Sequence, residues 1–396
     1  MKDEIDPRSR AVPTGRANRA ARMGGLAGGL LSSAAAAGAK QLLMGRKPSP
    51  REMLLTPANA QRLTQQLSQM RGAAMKMGQL LSLEAGDLLT PELAAVLRPL
   101  QSQAHFMPPA QLKQVLTKAW GPDFTKRFKK FDVRPIAAAS IGQVHRAQTR
   151  DGRDLAIKVQ YPGIRDSIDS DLRNLASLMR LSGMMPKGLD LKPLLEDARQ
   201  QLHEEADYDK EARSLRQFGT LLQDDPTFIV PDCHDDLSNT DILAMDFIPS
   251  EPIDTLETAD QSTRDTMADH LIRLMMREVF DFHLVQSDPN FANFRWQPDS
   301  GSLVLLDFGA TRPVSPDLVA RSRAILQPSL DNDLQAVAQA LTQLGLLSEA
   351  LPEATRTEIL SMVEMANAPM LSPAGFDFGD TSLVAELRDR GMALGR

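Results

Sequence analysis

Two motifs separated by a short apolar run constrain the fold of this chain more than any other feature. Asp288 and Asn293 stand five positions apart in Gln286–Phe294 (QSDPNFANF), and Asp307-Phe308-Gly309 follows fourteen residues after Asn293. The spacing predicts a short hairpin whose second strand is the apolar run Leu303–Leu306. Phosphoryl transfer requires a carboxylate and an amide oxygen that converge on Mg²⁺, and another carboxylate that faces the acceptor. The ordered pair of motifs therefore predicts a phosphoryl-transfer site.

Composition narrows the classes of protein to which the chain can belong. Its 396 residues are 42% hydrophobic and 24% charged, which is ordinary for a globular protein with a large core. The formal net charge of −6 gives no support to a nucleic-acid partner, and none is expected. The single cysteine, Cys233, excludes an internal disulfide and a metal site built from cysteines, and it favours a reducing, intracellular compartment.

The N-terminal segment divides into a basic tail, residues 1–22, and the uncharged stretch Met23–Ala39. The tail is typical of a disordered or surface-bound segment. Gly24–Gly29 contains two overlapping G-x-x-x-G motifs, a spacing that lets two helices approach closely in lipid. The stretch is shorter than a typical span of about 20 residues. A membrane-associated helix that forms a homodimer through Gly24–Gly29 and a soluble small-residue helix both remain open. A cleaved secretory signal fits less well because an intracellular domain follows.

A helical pattern that begins near Asn59 carries a short polar motif. Apolar residues recur every three or four positions, and Lys76-Met77-Gly78-Gln79 lies within this helix. Lys76 and Gln79 are one helical turn apart and share a face, which by itself describes a solvated pair. Gly72 and the glycine of the motif each cost about 1 kcal/mol relative to alanine in a helix interior. We therefore expect this helix to pack closely against another element.

The pattern then changes to strands that surround one lysine. Asp151-Gly152 is a strong hairpin signal, and Leu155–Tyr161 is the returning strand. Lys158 lies within this largely apolar strand, where an unpaired charge is costly. Glu211, in a helical run of charged residues, is the candidate partner, although such a run by itself is usually a solvated helix face. Together with the downstream motifs, the pattern favours an ion pair and a contact of Lys158 with the α- and β-phosphates of a nucleotide.

Alanine takes the place of glycine in the loop that precedes these strands. Ala137, Ala138, Ala139 and Ser140 stand before Gly142, where a kinase N-lobe carries its phosphate-covering loop. By itself, the segment is a tight turn between strands. Small side chains still let backbone N–H groups approach phosphate, and alanines make the loop stiffer than glycines would. We expect a nucleotide contact that differs from that of ordinary protein kinases.

The remaining segments complete a pattern of mixed helix and sheet. The strand Asp241–Ile248 ends at Pro249, consistent with a hinge between two lobes, and Met245 on this strand is assigned to the nucleotide site. The second half of the chain is expected to be mostly helical. Helices are predicted over Pro109–Trp120, Lys192–Phe218, Ser262–His283, Pro316–Leu326, Asp331–Leu347 and Glu353–Ala366.

Six ordered motifs resemble the UbiB/ADCK atypical kinase-like family of ubiquinone (coenzyme Q) biosynthesis proteins. The resemblance extends from about residue 20 to at least residue 350. The motifs are Lys76–Gln79 (K-x-G-Q), Ala137–Ser140 (alanine-rich loop), Ala156–Gly163 (lysine strand), Glu205–Asp207 (E-x-D), Gln286–Asn290 (catalytic loop) and Leu306–Arg312 (DFG). Two departures favour the mitochondrial-like branch of the family. Gln286 stands where many relatives have histidine, and a C-terminal hydrophobic helix pair is not found.

The resemblance implies an α+β, protein-kinase-like, two-lobed fold with an N-terminal helical extension that carries K-x-G-Q. The expected domains are residues 1–50 (tail, small-residue helix and linker), 51–130 (helical extension), 131–250 (N-lobe with a family insert) and 251–396 (helical C-lobe with the catalytic loop and DFG). In the family the K-x-G-Q helix packs over the active site. Lys76 is therefore expected to face Glu205 and Asp207 and to occlude the site of a protein substrate.

The same resemblance assigns roles to the polar residues. It makes Lys158 and Glu211 an ion pair, Asp288 the catalytic-loop acid, and Asn293 and Asp307 the ligands of Mg²⁺. The lysine of K-x-G-Q and both acidic residues of E-x-D join Asp288 in the catalytic set. The implied cofactors are ATP and Mg²⁺. The implied activity is ATP hydrolysis, or phosphorylation of a small lipid-linked acceptor, in support of coenzyme Q biosynthesis.

The expected partners are ATP, isoprenoid quinone precursors or membrane lipid, and other coenzyme Q biosynthesis proteins. The resemblance favours a bacterial cytoplasmic protein peripheral to the inner membrane, or the mitochondrial inner membrane in a eukaryote. One alternative is a nucleotide-gated scaffold or lipid-binding chaperone in which turnover is incidental. Another is a small-molecule kinase of the aminoglycoside-kinase type, against which the K-x-G-Q helix and the alanine-rich loop argue.

Overall fold

In the computed structural model, an antiparallel five-stranded sheet is the framework of the region that contains the predicted site. The structure describes Ser32 and residues 71–85, 106–182, 191–288, 290–373 and 375–394. The first unit is Met1–His270 with Gln286–Thr311, and the second is Leu271–Val285 with Arg312–Arg396. The domain boundaries expected at residues 50, 130 and 250 stay predictions.

Two of the helices described in the first unit precede the strands of this sheet along the chain, and three lie between its strands. They are α1 (Arg71–Ala85), α2 (Pro109–Trp120), α3 (Ile164–Ser182), α4 (Leu191–Glu205) and α5 (Tyr208–Leu222). The bounds of α2 are those predicted. The single helix predicted over Lys192–Phe218 is wrong, because the chain is interrupted between α4 and α5. Asp207 causes this break by capping α5, where its carboxylate accepts a hydrogen bond from the N–H of Lys210 at 2.9 Å.

The five-stranded sheet has the order β1-β3-β4-β6, and β2 pairs with β3. The strands of this part of the chain are β1 (Phe128–Phe131), β2 (Ala137–Ala138), β3 (Gly142–Thr149), β4 (Asp154–Gln160), β5 (Phe228–Ile229), β6 (Ile242–Asp246) and β7 (Glu251–Pro252). The predicted Asp151-Gly152 turn joins β3 to β4, and Gly152 has a φ of 99°, which suits glycine. Lys158 lies on β4 opposite Val144 on one side and Leu243 on the other. Its backbone is therefore held by ladders on both sides.

Helix α1 packs against α3 and α4. A Cβ atom on Gly72 would lie 2.8 Å from Cγ2 of Ile141 and 3.3 Å from Cδ2 of Leu202, so only glycine permits this approach. The close packing predicted for the helix is therefore confirmed at Gly72. Lys76 and Met77 are both buried, so these two residues of the motif lie inside the unit.

A second sheet of the first unit has the order β5-β10-β9-β7. The remaining strands are β8 (Leu284–Gln286), β9 (Phe294–Gln297), β10 (Ser302–Leu305) and β11 (Thr311–Pro313). Of these, β8 and β11 pair with each other in a two-stranded sheet. The predicted hairpin is confirmed, because β9 and β10 pair antiparallel, with Phe294 opposite Leu305 and Trp296 opposite Leu303. A short 3-10 helix, Phe291–Asn293, precedes β9.

The second unit is mostly helical in its described residues, as predicted. Helix α6 (Gln261–Phe280) contains residues of both units, and the later helices are α7 (Pro316–Leu330), α8 (Leu334–Gln343), α9 (Glu353–Leu371) and α10 (Ser382–Leu394). The core of this unit contains Val337, Leu341 and Leu347. Within the described ranges, no helix combines the length and the apolar character needed to cross a membrane. The predicted helix Met23–Ala39 lies outside those ranges except for Ser32, which is helical.

Candidate functional site

Lys158 and Glu211 form a buried ion pair between β4 and α5. The Nζ atom of Lys158 lies 2.6 Å from Oε1 and 2.9 Å from Oε2 of Glu211. Glu211 is 1% exposed and lies in the first turn of α5, where the helix N-terminus favours a negative charge. The expected ion pair is therefore present, and the alternative of a solvated helix face for Glu211 is wrong.

Asp307 completes what we call the deep cluster, which consists of Lys158, Glu211 and Asp307. Its Oδ2 lies 3.2 Å from Nζ of Lys158, and its Oδ1 accepts a hydrogen bond from the N–H of Gly309 at 3.0 Å. One lysine thus faces two carboxylates. The cluster carries more negative than positive charge, which favours the approach of a cation.

Burial and mutual attraction set the charges of the deep cluster. Burial opposes the charge of Lys158, but Asp307 and Glu211 outweigh it and hold the pKa of Lys158 well above its usual value. Burial raises the pKa of Glu211 to about 7, against the attraction of Lys158. Burial also opposes ionisation of Asp307, but Lys158 and the Gly309 N–H hold its pKa below the usual value. Lys158 and Asp307 therefore keep their charges at neutral pH.

A second lysine forms what we call the outer cluster, which consists of Lys76, Glu205 and Asp288. The Nζ atom of Lys76 lies 2.9 Å from Oε1 of Glu205 and 3.0 Å from Oδ2 of Asp288. Lys76 is 3% exposed, whereas both carboxylates are partly exposed. Burial opposes the charge of Lys76, but the two carboxylates outweigh it and raise its pKa. The predicted catalytic acid is therefore engaged by a lysine of α1.

The expected pairing of Lys76 with both acidic residues of E-x-D is half right. Glu205 contacts Lys76 as predicted, but the carboxylate of Asp207 accepts a hydrogen bond from the N–H of Lys210 and caps α5. Asp288 takes the second position beside Lys76. The hydroxyl of Ser140 donates a hydrogen bond to Oε2 of Glu205. This bond connects the alanine-rich loop to the outer cluster.

The alanine-rich loop is a tight turn with its own internal bonds. Ala137 and Ala138 form β2 and pair with β3. The N–H of Ala139 donates to the carbonyl oxygen of Gly142 at 2.9 Å. The turn interpretation is thus correct for its backbone, while contact of this loop with nucleotide stays a prediction.

Met245 lies inside the five-stranded sheet. It is buried on β6, opposite Ala156 on β4. Its backbone also forms an isolated bridge with Cys233. Its assignment to the nucleotide site stays a prediction.

Gln286 joins the catalytic loop to the DFG segment. Its Oε1 accepts a hydrogen bond from the N–H of Asp288 at 2.7 Å, and its Nε2 donates to the carbonyl oxygen of Asp307 at 2.9 Å. Asn293 Nδ2 donates to the Asp288 carbonyl at 3.3 Å, and the Leu306 N–H donates to the Asn293 carbonyl at 3.2 Å. These bonds hold both motifs at one end of the β9–β10 hairpin. From the sequence, Gln286 is identified only as a residue that stands where many relatives have histidine. The missed signal is that a glutamine side chain can both donate and accept a hydrogen bond and so can connect two motifs.

Asn293 and Asp307 offer the oxygen atoms that Mg²⁺ prefers. Because the amide nitrogen of Asn293 is engaged, its oxygen is the atom left to serve as a ligand. The described part of the chain contains no group of three or more His, Cys, Asp or Glu side chains that could hold a metal ion. Mg²⁺ commonly binds one or two protein oxygens and completes its shell with substrate phosphates and waters. The two residues therefore fit an Mg²⁺ ion that arrives with a nucleotide.

Tyr208 lies beside the deep cluster and was missed by the sequence interpretation. Its ring centroid is 5.3 Å from Nζ of Lys158, and the residue is 1% exposed. It precedes Glu211 by three positions, so the two side chains share a face of α5. That spacing was the available signal.

Comparison with known proteins identifies similar chains. A family model described as the ABC1 atypical kinase-like domain matches residues 99–341. The chain is 37% identical to the atypical kinase COQ8, mitochondrial, of Saccharomyces cerevisiae, over 96% of this chain and 76% of that protein. It is also 37% identical to the atypical kinase COQ8B, mitochondrial, of Rattus norvegicus, over 94% of this chain and 71% of that protein.

A solved structure supports the fold. The chain is similar to a Mycobacterium tuberculosis protein determined in complex with erythromycin, with a TM-score of 0.55 and 23% identity. The similarity covers 85% of this chain and 90% of that one. At this identity it shows the fold alone. Together with the family match, it confirms the predicted α+β, kinase-like fold.

Proposed function

Because the chain belongs to the ABC1 atypical kinase-like family, its enzyme class is that of the kinases and ATPases, and we propose that it is an Mg-ATP-dependent ATPase rather than a typical protein kinase. Lys158 holds the α- and β-phosphates, and Asn293 and Asp307 hold Mg²⁺. Asp288 orients the attacking water or the hydroxyl of a small lipid-linked acceptor. When bound, Mg²⁺ neutralises the charge that develops on the phosphates.

The observation that carries this proposal is the ion pair between Lys76 and Asp288, whose atoms are 3.0 Å apart. In a protein kinase the corresponding acid faces the hydroxyl of a protein substrate. Here a buried lysine of α1 occupies a position beside the carboxylate. A protein segment would have to displace this lysine and its second partner, Glu205. A water molecule or a small hydroxyl needs much less room.

The test is release of phosphate from Mg-ATP by the purified chain, with and without lipid vesicles. Asp288→Asn keeps the size of the side chain and removes its charge. We expect turnover to fall by at least about 100-fold, because general acid–base groups contribute factors of that order. Nucleotide affinity, measured by calorimetry, should change by less than about fivefold because Asp288 is not assigned to the phosphates.

Asp299→Asn is the matched control, because Asp299 is an exposed carboxylate in the turn between β9 and β10. It should release phosphate at the wild-type rate. Wild-type protein that binds nucleotide but releases no phosphate in either condition would contradict the proposal.

We also infer a role in ubiquinone biosynthesis at a membrane surface. Isoprenoid quinone precursors or membrane lipid are the apolar ligands, and other biosynthesis proteins are the partners. The six motifs and the similarity to COQ8 proteins named as mitochondrial support this inference. Cells that lack the protein should lose quinone, and the Asp288→Asn variant should fail to restore it.

The ion pair of the catalytic acid also favours a second candidate, a nucleotide-gated scaffold or lipid-binding chaperone. In this case Mg-ATP changes partner binding, and hydrolysis is incidental. Partner capture that persists in Asp288→Asn but is lost in Lys158→Met would support the scaffold. Loss of capture in both variants would favour the ATPase.

A further inference from the structure

One polar group beside the deep cluster has no assigned use. The hydroxyl of Tyr208 is buried and has no hydrogen-bond partner among the described residues. Leaving such a group unpaired is unfavourable, because the hydroxyl gives up its hydrogen bonds to water and gains none in return. Buried polar groups are nearly always paired, so an unpaired one indicates a ligand, a water molecule or a functional role.

The hydroxyl lies at the base of the alanine-rich loop. A Cβ atom on Gly142 would stand 2.7 Å from the Tyr208 oxygen and 2.6 Å from the carbonyl oxygen of Val159. Any residue larger than glycine would therefore collide with both groups. Gly142 is the first residue of β3, where the loop enters the sheet. The close approach brings the hydroxyl to the element that is expected to cover the phosphates.

The surroundings of Tyr208 make its hydroxyl a permanent donor. Burial raises the pKa of Tyr208, so the phenol keeps its proton at every physiological pH. The ring stands 5.3 Å from Nζ of Lys158, within the range of a cation–π contact. The ring of Tyr208 and the lysine that is assigned to the phosphates thus belong to one site.

The backbone of the loop gives a reason for an additional donor. Glycine-rich loops offer several N–H groups to phosphate. In this chain the N–H of Ala139 is already bonded to the Gly142 carbonyl within the turn. A side-chain donor at the base of the loop would replace part of what the backbone does not supply.

We propose that Tyr208 is a further residue of the nucleotide site, with its hydroxyl donating a hydrogen bond to a phosphate oxygen and its ring fixing the position of the Lys158 ammonium group. This inference rests on the proposed function, because it takes Lys158 as the phosphate contact. The ligand it requires is the phosphate chain of a nucleoside triphosphate or diphosphate.

Tyr208→Phe tests the proposal, because it keeps the ring and removes one oxygen atom. We expect Mg-ATP to bind about tenfold more weakly, as measured by calorimetry, because one hydrogen bond to a charged acceptor is lost. The ligand-free variant should melt at the same temperature as the wild type or higher, because an unpaired buried group has been removed. Weaker binding together with an unchanged or higher melting temperature indicates ligand recognition. A hydroxyl with a structural role would instead lower the melting temperature when it is removed.

Tyr161→Phe is the matched control, because the chain has two tyrosines and Tyr161 is also buried, at 2% exposed. It should bind Mg-ATP with wild-type affinity. Equal affinity of Tyr208→Phe and the wild type would overturn the proposal, and so would a lower melting temperature of ligand-free Tyr208→Phe. If the wild type itself does not bind Mg-ATP, the proposed function fails instead.

A second measurement keeps the test valid if Tyr208→Phe does not fold. Labelling the tyrosine Cζ atoms with ¹³C gives two NMR signals, and the Tyr161→Phe variant assigns the one that belongs to Tyr208. Saturation with Mg²⁺ and a non-hydrolysable ATP analogue should shift the Tyr208 signal as its hydroxyl gains an acceptor. A Tyr208 signal that stays in place at saturation would overturn the proposal.

Discussion

The deep and outer clusters place the same set of groups, one lysine between two carboxylates, in different surroundings. In the deep cluster the side chain of Glu211 is 1% exposed and that of Asp307 is 31% exposed, and Lys158 is fixed by ladders on both sides of β4. In the outer cluster the carboxylates of Glu205 and Asp288 are 15% and 25% exposed. The lysine of the outer cluster comes from α1, which is not part of the sheet.

This difference indicates different roles for the two lysines. Glu211 is buried, and a buried carboxylate that loses its lysine has no solvent to stabilise its charge, so the Lys158–Glu211 pair makes the deep cluster a permanent frame. Carboxylates that are partly exposed can exchange the lysine for water at a smaller cost. We infer that Lys158 holds the nucleotide, whereas Lys76 restrains the catalytic acid and can be displaced.

The largest effect is expected from Lys158→Met, which removes the charge and keeps most of the volume. It leaves the buried Glu211 without its cation, and breaking a buried pair in this way costs about 3–5 kcal/mol. The free energy of unfolding in urea should fall by that amount. Binding of Mg-ATP, measured by calorimetry, should weaken by at least about 100-fold because the phosphates lose their lysine.

Arg199→Met is the control for an ion pair of the opposite kind, because Arg199 and Glu196 form an exposed pair on α4. Exposed pairs contribute little to stability, so this variant should unfold and bind nucleotide like the wild type. If Lys158→Met were as stable as Arg199→Met, the deep cluster would not be a frame, and the contrast with the outer cluster would be lost.

A neutral residue on the same sheet shows that partners, and not burial alone, keep Lys158 charged. His145 on β3 is 0% exposed. The Met107 N–H donates to Gln143 Oε1 at 2.7 Å, so Gln143 Nε2 is the donor to His145 Nε2 at 2.8 Å. The remaining ring nitrogen, Nδ1, donates to the Asp132 carbonyl at 2.8 Å. A proton on Nε2 would place two donors face to face, so the ring is held neutral.

We therefore expect acid to weaken the fold through His145. Burial lowers its pKa from 6.5 to about 4. Above pH 6.5 both the folded and the unfolded chain hold a neutral ring, so this group has no effect on stability there. Between pH 6.5 and pH 4 only the unfolded chain takes up the proton, and the free energy of unfolding should fall by about 3 kcal/mol.

Urea unfolding at pH 7 and pH 4.5 measures this loss, with His145→Gln as the variant that cannot titrate. The wild type should lose more stability on acidification than His145→Gln does. Equal losses in the two proteins would show that His145 is not held neutral. His145 would then no longer support the conclusion that partners, and not burial alone, keep Lys158 charged.

The parts of the site that sequence could predict are those set by local patterns. The Asp151-Gly152 turn, the β9–β10 hairpin and the strand of Lys158 each follow from turn residues and short apolar runs. The Lys158–Glu211 pair was also foreseeable, because a lysine inside a buried strand requires a carboxylate. The choice of Glu211 as that carboxylate also used the downstream kinase motifs, whereas the turn, the hairpin and the strand needed no knowledge of the tertiary fold.

The partners of Lys76 could not be predicted from local sequence patterns. Lys76 and Asp288 are 212 positions apart, and no local pattern decides which of several carboxylates a buried lysine meets. The error at Asp207 was avoidable, because an aspartate before a helical run is a strong capping signal. The resemblance assigned Asp207 to the lysine, whereas helix capping determined its position.

The smallest effect is expected from Lys76→Met, which tests whether the outer cluster is a restraint. The free energy of unfolding should fall by about 1–2 kcal/mol, less than for Lys158→Met, because both carboxylates gain contact with water. Nucleotide affinity should stay within about twofold of the wild type, because Lys76 is not assigned to the phosphates. Phosphate release should rise a few-fold, because Asp288 is freed to orient the attacking water.

Combining Lys76→Met with Asp288→Asn shows which group the lysine restrains. If the restraint acts on Asp288, the double variant should release phosphate no faster than Asp288→Asn alone, and the gain from Lys76→Met should vanish. A single Lys76→Met variant as inactive as Asp288→Asn would instead mean that the ammonium group takes part in hydrolysis. Both lysines would then act on the nucleotide, and the greater exposure of Glu205 and Asp288 relative to Glu211 would reflect access for the acceptor rather than a displaceable restraint.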